Sequence, residues 1–419
     1  MKSLFRFIIG FMLASKARAY LKRHRVQVIA VTGSVGKTST KEAIYQVLKS
    51  KFDVYVSKKS FNTEIGLSLA VLQEEESGFS SLMAWLKILN KALFKKKKVY
   101  AKAVLEMGAD KPGDIKKLVR IAPPKIAVVT AVRPVHMAEG QFANLEAIAH
   151  EKGMLVRALP HKGMAILNND DEYVRNMQTE AGKFSYGVKR PAMLMAYQIK
   201  AGPKDLRFKA TYRGKTGDFV VPVIGEFQVY VLLPAVAVGL QLGMQLGECA
   251  SALRDFQLPP GRMNPISGIN RSQIIDSSYN ASPTTMDTAL DVLDHIYSPR
   301  KIAVLGTMNE LGEMTYEAHI AVGQKAGRVA DILIAVGHEA PTIKRGALEA
   351  GMKETDIYTF FDSEEAGEFM KDRLKQGDLV LVKGSQNKVR MERFVKLIMK
   401  DPHKAKNLLC RQGAAWESI

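Results

Sequence analysis

A strand, a glycine turn and a helix follow one another near the start of this chain of 419 residues. An apolar run, Val26–Val31, comes first, and a helical pattern extends from Thr38 to Lys49. The turn between them reads Thr32-Gly33-Ser34-Val35-Gly36-Lys37-Thr38-Ser39. Backbone N–H groups at such a turn, together with the positive end of the helix, bind phosphate oxygens. The motif therefore predicts an α/β domain that holds a phosphate group.

Each residue type in the turn has a role in this chemistry. Gly33 and Gly36 permit the tight turn, Lys37 reaches the β- and γ-phosphates, and the Thr38 hydroxyl is a ligand for Mg²⁺. The usual motif has an additional glycine at the position of Val31, so this is the shorter G-x-x-G-K-T form.

Two further candidates follow neighbouring strands. Glu106 closes the apolar run Ala101–Leu105, where a metal-holding acid is expected beside a phosphate loop. His136 follows the strand candidate Lys125–Val132, at a position that faces a crevice. A glutamate there can also cap a helix, and a single histidine is more often a structural hydrogen-bonding residue.

The composition is that of a globular protein. Hydrophobic residues make up 47% and charged residues 25% of the chain, which excludes a disordered, collagen-like or polytopic membrane protein. The formal net charge of +19 favours anionic partners. Cys249 and Cys410 have neither the number nor the spacing of a disulfide framework or a zinc site, so a reducing cytoplasm is expected.

Residues 1–25 carry seven lysines and arginines and no acidic residue. Apolar side chains recur there at helical spacing, namely Leu4, Phe7, Ile8, Phe11 and Met12. We expect a basic amphipathic helix that lies on an anionic membrane or a partner, or that packs on its own domain. Ala17-Arg18-Ala19 also resembles a signal-peptide cleavage site, but the charges are wrong for one, and the phosphate site that follows depends on cytoplasmic ATP.

The remaining pattern predicts two α/β domains. Residues 26–260 alternate apolar runs with helices, which is typical of a mainly parallel sheet, although residues 193–224 alternate with a period of two like an antiparallel flap. After Pro259-Pro260-Gly261, residues 261–419 form a Rossmann-like α/β domain. Its strands are expected at Gln273–Asp276, Ile302–Leu305, Ile332–Val336, Ile357–Phe360 and Leu379–Val382.

An ordered set of motifs resembles the Mur ligase family, ATP-dependent amide-bond synthetases of peptidoglycan assembly. The resemblance extends from about residue 27 to residue 400 and is strongest for the branch that adds D-Ala-D-Ala to a UDP-muramoyl-tripeptide. The motifs are Thr32–Thr38, Asn62-Thr63-Glu64-Ile65-Gly66, Leu105-Glu106-Met107-Gly108-Ala109, Leu167-Asn168-Asn169-Asp170, Ile275–Pro283, Glu310-Leu311-Gly312 and Val382-Lys383-Gly384-Ser385.

The resemblance implies that ATP phosphorylates a peptide carboxylate, and that the amine of the dipeptide attacks the acyl phosphate. Charge on the transferring group must be offset, so cations and two Mg²⁺ positions are needed. The implied catalytic residues are Lys37, His136 and Lys152. The implied nucleotide-binding residues are Gly33–Ser39, Asn168, Asp170 and Arg262. The implied metal ligands are Thr38, Glu106, His136 and Lys152, the last of which family members can carbamylate.

The sequence departs from the family at several positions. Phe227, Gln228 and Val231 replace a His-Asn-x-x-Asn run, so the sequence does not define the adenine contacts. Ser277 and Thr307 stand where acidic residues are usual, and Gln386 replaces an arginine. The residues before Gly33 are too few for an independent core, so the family's UDP-binding domain is not expected.

Three hypotheses remain open from the sequence. In the first, the chain is a working ligase in which the basic helix and surface, or a partner, hold the anionic substrate. In the second, it is a nucleotide-binding scaffold that has lost ligation. In the third, it is a folylpolyglutamate synthetase-like ligase. We expect a cytoplasmic monomer that does not bind nucleic acid, and that associates peripherally with the inner face of the membrane under the first hypothesis.

Overall fold

The computed structural model describes residues 2–57, 63–74, 88–92, 98–385, 389–413 and 416. Asn62 of the second motif and Gln386 lie outside the described residues. Within the described ranges, no helix combines the length and the apolar character needed to cross a membrane.

The chain forms two compact α/β units. The first comprises Met1–Lys200, Arg207–Val221 and Gln228–Phe256, and the second comprises Ala201–Leu206, Pro222–Phe227 and Gln257–Ile419. The predicted α/β class with mainly parallel sheets is confirmed. The second unit includes two short segments, Ala201–Leu206 and Pro222–Phe227, that nothing in the sequence assigns to it. The domain boundary that the sequence predicts between residues 260 and 261 stays a prediction.

The first unit contains a nine-stranded sheet in the order β2-β3-β1-β4-β5-β6-β7-β8-β9. Its strands are β1 (Gln27–Thr32), β2 (Val54–Val56), β3 (Lys102–Glu106), β4 (Ile126–Val129), β5 (Met164–Asn168), β6 (Gly182–Gly187), β7 (Leu194–Ala201), β8 (Leu206–Tyr212) and β9 (Lys215–Val221). The strands from β2 to β7 pair in parallel. A two-residue connection joins β8 to β9, which only antiparallel neighbours allow.

Helices cover this sheet, and their apolar side chains are buried against its strands or against neighbouring helices. They are α1 (Lys2–Arg23), α2 (Lys37–Leu48), α3 (Glu64–Val71), α4 (Asp114–Ile121), α5 (Leu145–Arg157), α6 (Glu172–Arg175), α7 (Val229–Gln241) and α8 (Leu246–Leu253), and residues 88–92 are also helical.

Helix α1 packs on its own unit, but not through the side expected from the sequence. Ile9, Leu13, Ala17 and Leu21, spaced four residues apart, are buried in the core of the first unit, where α1 contacts α3 and α4. Three side chains of the apolar set predicted from helical spacing, Ile8, Phe11 and Met12, are exposed instead. Both sides are apolar here, so helical periodicity alone could not tell which one faces the core.

The second unit contains a six-stranded sheet in the order β10-β11-β15-β12-β13-β14, in which only the β10–β11 pair is antiparallel. Its strands are β10 (Asn264–Ser267), β11 (Gln273–Ser277), β12 (Arg300–Gly306), β13 (Ile332–Val336), β14 (Ile357–Phe360) and β15 (Asp378–Lys383). Its helices are α9 (Pro283–His295), α10 (Thr315–Val329), α11 (Ala340–Glu349), α12 (Ser363–Lys371), α13 (Met391–Ile398) and α14 (Ala405–Leu408).

Alternate residues of these strands fill two cores, one on each face of the sheet. Ile302 and Val304 belong to one cluster, whereas Ala303 and Leu305 belong to the other. Burial on both faces explains the continuous apolar runs by which the sequence predicts these strands.

Candidate functional site

The candidate site lies at one edge of the sheet in the first unit. In the parallel pairs of β1 with β3 and β4, Val31 is in register with Glu106, and Thr32 with Val129. The carboxyl ends of these strands therefore meet, together with that of β5, which ends at Asn168. This is the edge at which open parallel sheets bind ligands.

Two glycines and a threonine shape the phosphate loop after β1. Gly33 and Gly36 have φ angles of 146° and 79°, which residues with a side chain rarely adopt. The Thr130 hydroxyl donates to the Val35 carbonyl at 2.6 Å and occupies the space that a Cβ on Gly33 would need. Gly33 is therefore required both for its backbone angle and for the close approach of Thr130.

The loop leads directly into α2. The Ser34 amide donates to the Ala131 carbonyl at 2.7 Å, and the Lys37 ammonium donates to the Ser34 carbonyl at 3.4 Å. Lys37 is the first residue of α2 and half-buried, whereas Ser39 is buried in the helix. The first N–H groups of α2 and the Lys37 side chain thus lie at the loop, where an anion would be stabilised.

A hydroxyl and a carboxylate meet beside the loop. Thr38 Oγ1 donates to Glu106 Oε2 at 2.8 Å, and Glu106 is 4% exposed. Oxygen ligands of this kind suit Mg²⁺. Within the described parts of the chain, no three His, Cys, Asp or Glu side chains form a potential metal site, so a bound Mg²⁺ would take its other ligands from phosphate and water.

Lys152, on α5, is buried next to this cluster. Complete burial, followed by the positive charge of Lys37, lowers the pKa of Lys152 to about 7, although Glu151 and Asp110 act in the opposite direction. Glu151 itself accepts hydrogen bonds from the amides of Gly113 and Ile115, at 2.8 and 2.7 Å, so it is held by α4. Lys152 therefore has a substantial neutral fraction at neutral pH.

His136 joins the cluster through Asp110. Its Nε2 lies 3.6 Å from Asp110 Oδ1, and its φ of 55° is left-handed, a conformation rarely adopted without a constraint from the surrounding structure. Asp110 also interacts electrostatically with Lys152. Asp110 is absent from the residues that the sequence indicated, although it follows Glu106 by only four positions.

Asn168 and Asp170 hold the neighbouring backbone. Asn168 Nδ2 donates to the Thr130 carbonyl at 3.1 Å. The Asp170 carboxylate accepts hydrogen bonds from the amides of residues 188–190 and from the Tyr230 hydroxyl, the last at 2.8 Å. Partial burial alone would raise the pKa of Asp170, but these donors outweigh it and lower the pKa. The nucleotide contact expected of Asp170 stays a prediction.

An ion pair that the sequence did not indicate lies at the end of β4. Arg133 Nη1 is 2.6 Å from Asp171 Oδ2, and the buried Asp171 also accepts from the Val132 amide at 3.0 Å. The Arg133 amide donates to Ser34 Oγ at 2.9 Å, so the pair supports the phosphate loop. No sequence pattern indicates that Asp171, and not the adjacent Asp170, forms this ion pair.

A cavity of about 360 Å³ adjoins Asp110 in the first unit. Most of its lining side chains are charged or polar. Two of them, Thr63 and Glu64, belong to the motif that begins at Asn62. The lining residues are Thr63, Glu64, Asp110, Lys111, Asp114, Lys117, Leu118, Gly140 and Gln141.

Arg262 lies in the second unit, where its guanidinium is 4.1 Å from the centre of the Tyr279 ring. Among the residues at the unusual positions, Gln228 and Val231 are buried and Phe227 packs against a core. Of these three residues only Gln228 has a polar side chain, and the adenine contacts stay undefined.

The ends of β11 and β15 also meet, at Ser277 and Lys383. Lys383 Nζ donates to Ser277 Oγ at 3.2 Å and to the Asn280 carbonyl at 2.9 Å. Burial, followed by the charge of Arg262, lowers the pKa of Lys383 to about 7, against the opposing effect of Asp276. Thr307 follows β12 and accepts a hydrogen bond from the Ser385 amide through its carbonyl, at 3.2 Å.

The two sheets and the phosphate loop define a nucleotide-binding α/β protein. A family model described as the Mur ligase middle domain matches residues 31–239, and one described as the Mur ligase glutamate ligase domain matches residues 261–386. The chain belongs to the Mur ligase family, and it is an ATP-dependent ligase that forms amide bonds.

Individual relatives are similar over most of their length. The UDP-N-acetylmuramoyl-tripeptide–D-alanyl-D-alanine ligase of Bacillus subtilis is 29% identical over 392 residues, which cover 93% of this chain and 79% of that protein. That of Mycobacterium leprae is 31% identical over 411 residues, covering 90% and 74%. The crystal structure of the MurF ligase from Thermotoga maritima in complex with ADP has a TM-score of 0.75 and 27% identity, covering 94% and 84%.

Proposed function

We propose that this ligase adds D-Ala-D-Ala to a UDP-muramoyl-tripeptide type of acceptor in peptidoglycan precursor synthesis. The relatives that carry this name match about nine tenths of the chain. The observation that supports ligation over nucleotide binding alone is the cluster beyond the phosphate loop, where Lys152 is buried within electrostatic reach of Lys37 and Asp110. A scaffold that only binds a nucleotide would not need it.

The residues of the first unit fit ATP and Mg²⁺. The loop amides and Lys37 would hold the terminal phosphates, and the Thr38 hydroxyl with Glu106 would supply ligands for the first Mg²⁺. When bound, ATP supplies the phosphoryl group that activates the acceptor carboxylate as an acyl phosphate, and Mg²⁺ offsets its charge. Asn168 supports the loop through Thr130, and Arg262 keeps its proposed nucleotide-binding role.

Lys152 suits carbamylation because its amine is partly neutral near pH 7. The Nζ lone pair would attack the carbon of CO₂, forming an N–C bond and releasing one proton, and the lysine would become an anionic carbamate. The carbamate would supply oxygen ligands, and the His136 ring would supply a nitrogen ligand. Together the two side chains would bind a second Mg²⁺. Labelled bicarbonate should give a carbamate ¹³C signal with the native chain and none with Lys152→Arg.

The polar cavity beside Asp110 is the proposed site for part of the acceptor. Lys111 and Lys117 in its lining would pair with acidic groups of the acceptor. Three carboxylates, Glu64, Asp110 and Asp114, line the same cavity, so its lining carries both signs of charge. The attacking amine would enter from elsewhere, and we assign it no residue.

Phosphate release from ATP tests the function. Release should require both UDP-muramoyl-tripeptide and D-Ala-D-Ala, and should not occur with a folate and glutamate. Lys37→Ala should abolish it, because the ammonium that faces the phosphates is lost, whereas Lys49→Ala, an exposed lysine just after the same helix, should retain it. Tight ATP binding without turnover in any mixture would favour the scaffold hypothesis.

A further inference from the structure

Helix α1 presents a second apolar surface, on the side opposite the core. Ile8, Phe11 and Met12 are 48%, 69% and 41% exposed. They lie at positions i, i+3 and i+4, so they share one side of the helix. Isolated exposed apolar residues are common on proteins, but three on one helical turn form a continuous patch.

The same side of the helix becomes basic further along. Lys16, Arg18, Lys22 and Arg23 are all exposed, and they follow the apolar patch within about 20 Å at 1.5 Å per residue. Within the described part of the chain, no acidic side chain forms an ion pair with Lys16, Lys22 or Arg23. From Ile8 to Arg23, the exposed side therefore has an apolar first half and a cationic second half.

Packing fixes this surface to the first unit. The buried stripe at Ile9 and Leu13 anchors one side, Arg18 donates to the Arg120 carbonyl, and the Tyr20 hydroxyl donates to the Lys98 carbonyl at 2.8 Å. The patch cannot turn inward without breaking these contacts, so it stays exposed.

We propose that the exposed side of α1 binds an anionic lipid bilayer. The apolar half at Ile8, Phe11 and Met12 enters the boundary between headgroups and acyl chains, and the basic half at Lys22 and Arg23 contacts anionic headgroups. Apolar burial and electrostatic attraction together are what interfacial helices use. The bilayer is the partner because the charge of the helix is complementary to it.

Other partners fit the surface less well. A second copy of this chain would bring the same cationic helix against α1, and the two would repel. A nucleic acid would contact the basic half, but it offers no apolar phase to Phe11.

Sedimentation with vesicles tests this surface in the full chain without nucleotide, so the result does not depend on ligase activity. Phosphatidylcholine vesicles that contain phosphatidylglycerol should bind the protein, and pure phosphatidylcholine vesicles should bind it much less. Phe11→Ser should weaken binding about tenfold through the lost apolar contact. Lys22→Glu with Arg23→Glu should weaken it about thirtyfold, and added salt should weaken native binding.

Matched controls lie in the second unit. Phe361 is 79% exposed, so Phe361→Ser removes an exposed phenyl ring elsewhere. Lys396→Glu with Lys406→Glu changes the net charge by the same amount at two exposed positions. Both controls should bind vesicles like the native chain. Three outcomes would overturn the proposal. Phe11→Ser could bind vesicles as well as the native chain does, or the controls could lose as much binding as the α1 variants. The protein could also form a dimer that depends on Phe11 and bind no vesicles.

Discussion

Two buried lysines, Lys152 and Lys383, illustrate how individual residues combine structural and chemical roles. Each is at most 3% exposed, and burial lowers the pKa of each to about 7. An ammonium group in such a site is unfavourable because its hydration is lost. The two residues are therefore expected to make the stability of the chain depend on pH.

Lys383 permits a test of that dependence. Its pKa is about 7 when folded and 10.5 as the ordinary value, so between these values the unfolded chain binds the proton that the folded chain lacks. The free energy of unfolding should therefore rise with pH in this window, by up to about 1.4 kcal/mol per pH unit from this residue. Urea unfolding at several pH values measures the slope.

The slope should become smaller by this amount in Lys383→Met and stay unchanged in Lys396→Met, whose side chain is exposed. Equal slopes in both variants would mean that the Lys383 ammonium stays protonated in the folded chain.

Thr38 is the second residue that a single substitution can test. Thr38→Val keeps the shape of the side chain but removes the hydroxyl that contacts Glu106 at 2.8 Å. If this hydroxyl is a Mg²⁺ ligand, kcat should fall about a hundredfold or more, and the Mg²⁺ concentration for half-maximal rate should rise. Thr38→Ser should retain most of the rate, and a Thr38→Val enzyme near native activity would contradict the assignment.

At the scale of elements, an ion network connects the start of α13 with the segment after β11. Arg411 Nη1 donates to Glu392 Oε2 at 3.0 Å and to the Ser278 carbonyl at 3.2 Å, and its other terminal nitrogen donates to the Tyr279 carbonyl. Glu392 is fully buried. The network holds the loop whose Tyr279 ring lies under Arg262.

Breaking this network should destabilise the second unit. Arg411→Met leaves the buried Glu392 with Arg390 as its ion-pair partner, and the free energy of unfolding should fall by about 2–3 kcal/mol. Lys404→Met removes a lysine from an exposed pair with Asp401, 2.9 Å apart, and should cost less than about 1 kcal/mol. Chemical denaturation compares the two variants, and equal losses would show that burial of the Arg411 network adds nothing.

Predictability from the sequence also differs among elements. Strands β13 and β14 have the bounds that the apolar runs predict, Ile332–Val336 and Ile357–Phe360. In β13, burial on both faces removes polar residues. Strand β14 is a partly exposed edge strand, and its β-branched and aromatic residues indicate it instead. The antiparallel edge strand β10 was not predicted, since Pro265 lies within it and proline favours edge or non-strand positions.

The site could be predicted only as far as local motifs define it. The phosphate loop is recognisable because its strand, turn and helix are consecutive. Thr130, Asp110 and Asp171 reach the same edge from other strands and loops, and their residue types are common, so only the sheet topology identifies them. The roles of the individual site residues stay predictions.

At the scale of the whole molecule, all the loop residues proposed to hold phosphate belong to the first unit. A ligand that binds only the folded state stabilises it by about 2.7 kcal/mol at a hundredfold excess over Kd. ADP with Mg²⁺ should therefore slow hydrogen exchange most strongly in residues 33–39 and in β1 and β4. Lys37→Ala should lose this protection and Lys49→Ala should keep it; uniform protection of both sheets would place the nucleotide elsewhere.

Four side chains of α1 are part of the core of the first unit, so shortening the amino end should destabilise that unit. A chain that starts after Arg25 would leave the apolar faces of α3 and α4 in contact with water, because Ile9, Leu13, Ala17 and Leu21 would be missing from the core. Such a truncated protein should aggregate or be cleaved rapidly by proteases, regardless of whether it meets lipid. Proteolytic removal of this helix would therefore inactivate the protein instead of releasing an intact enzyme from a surface.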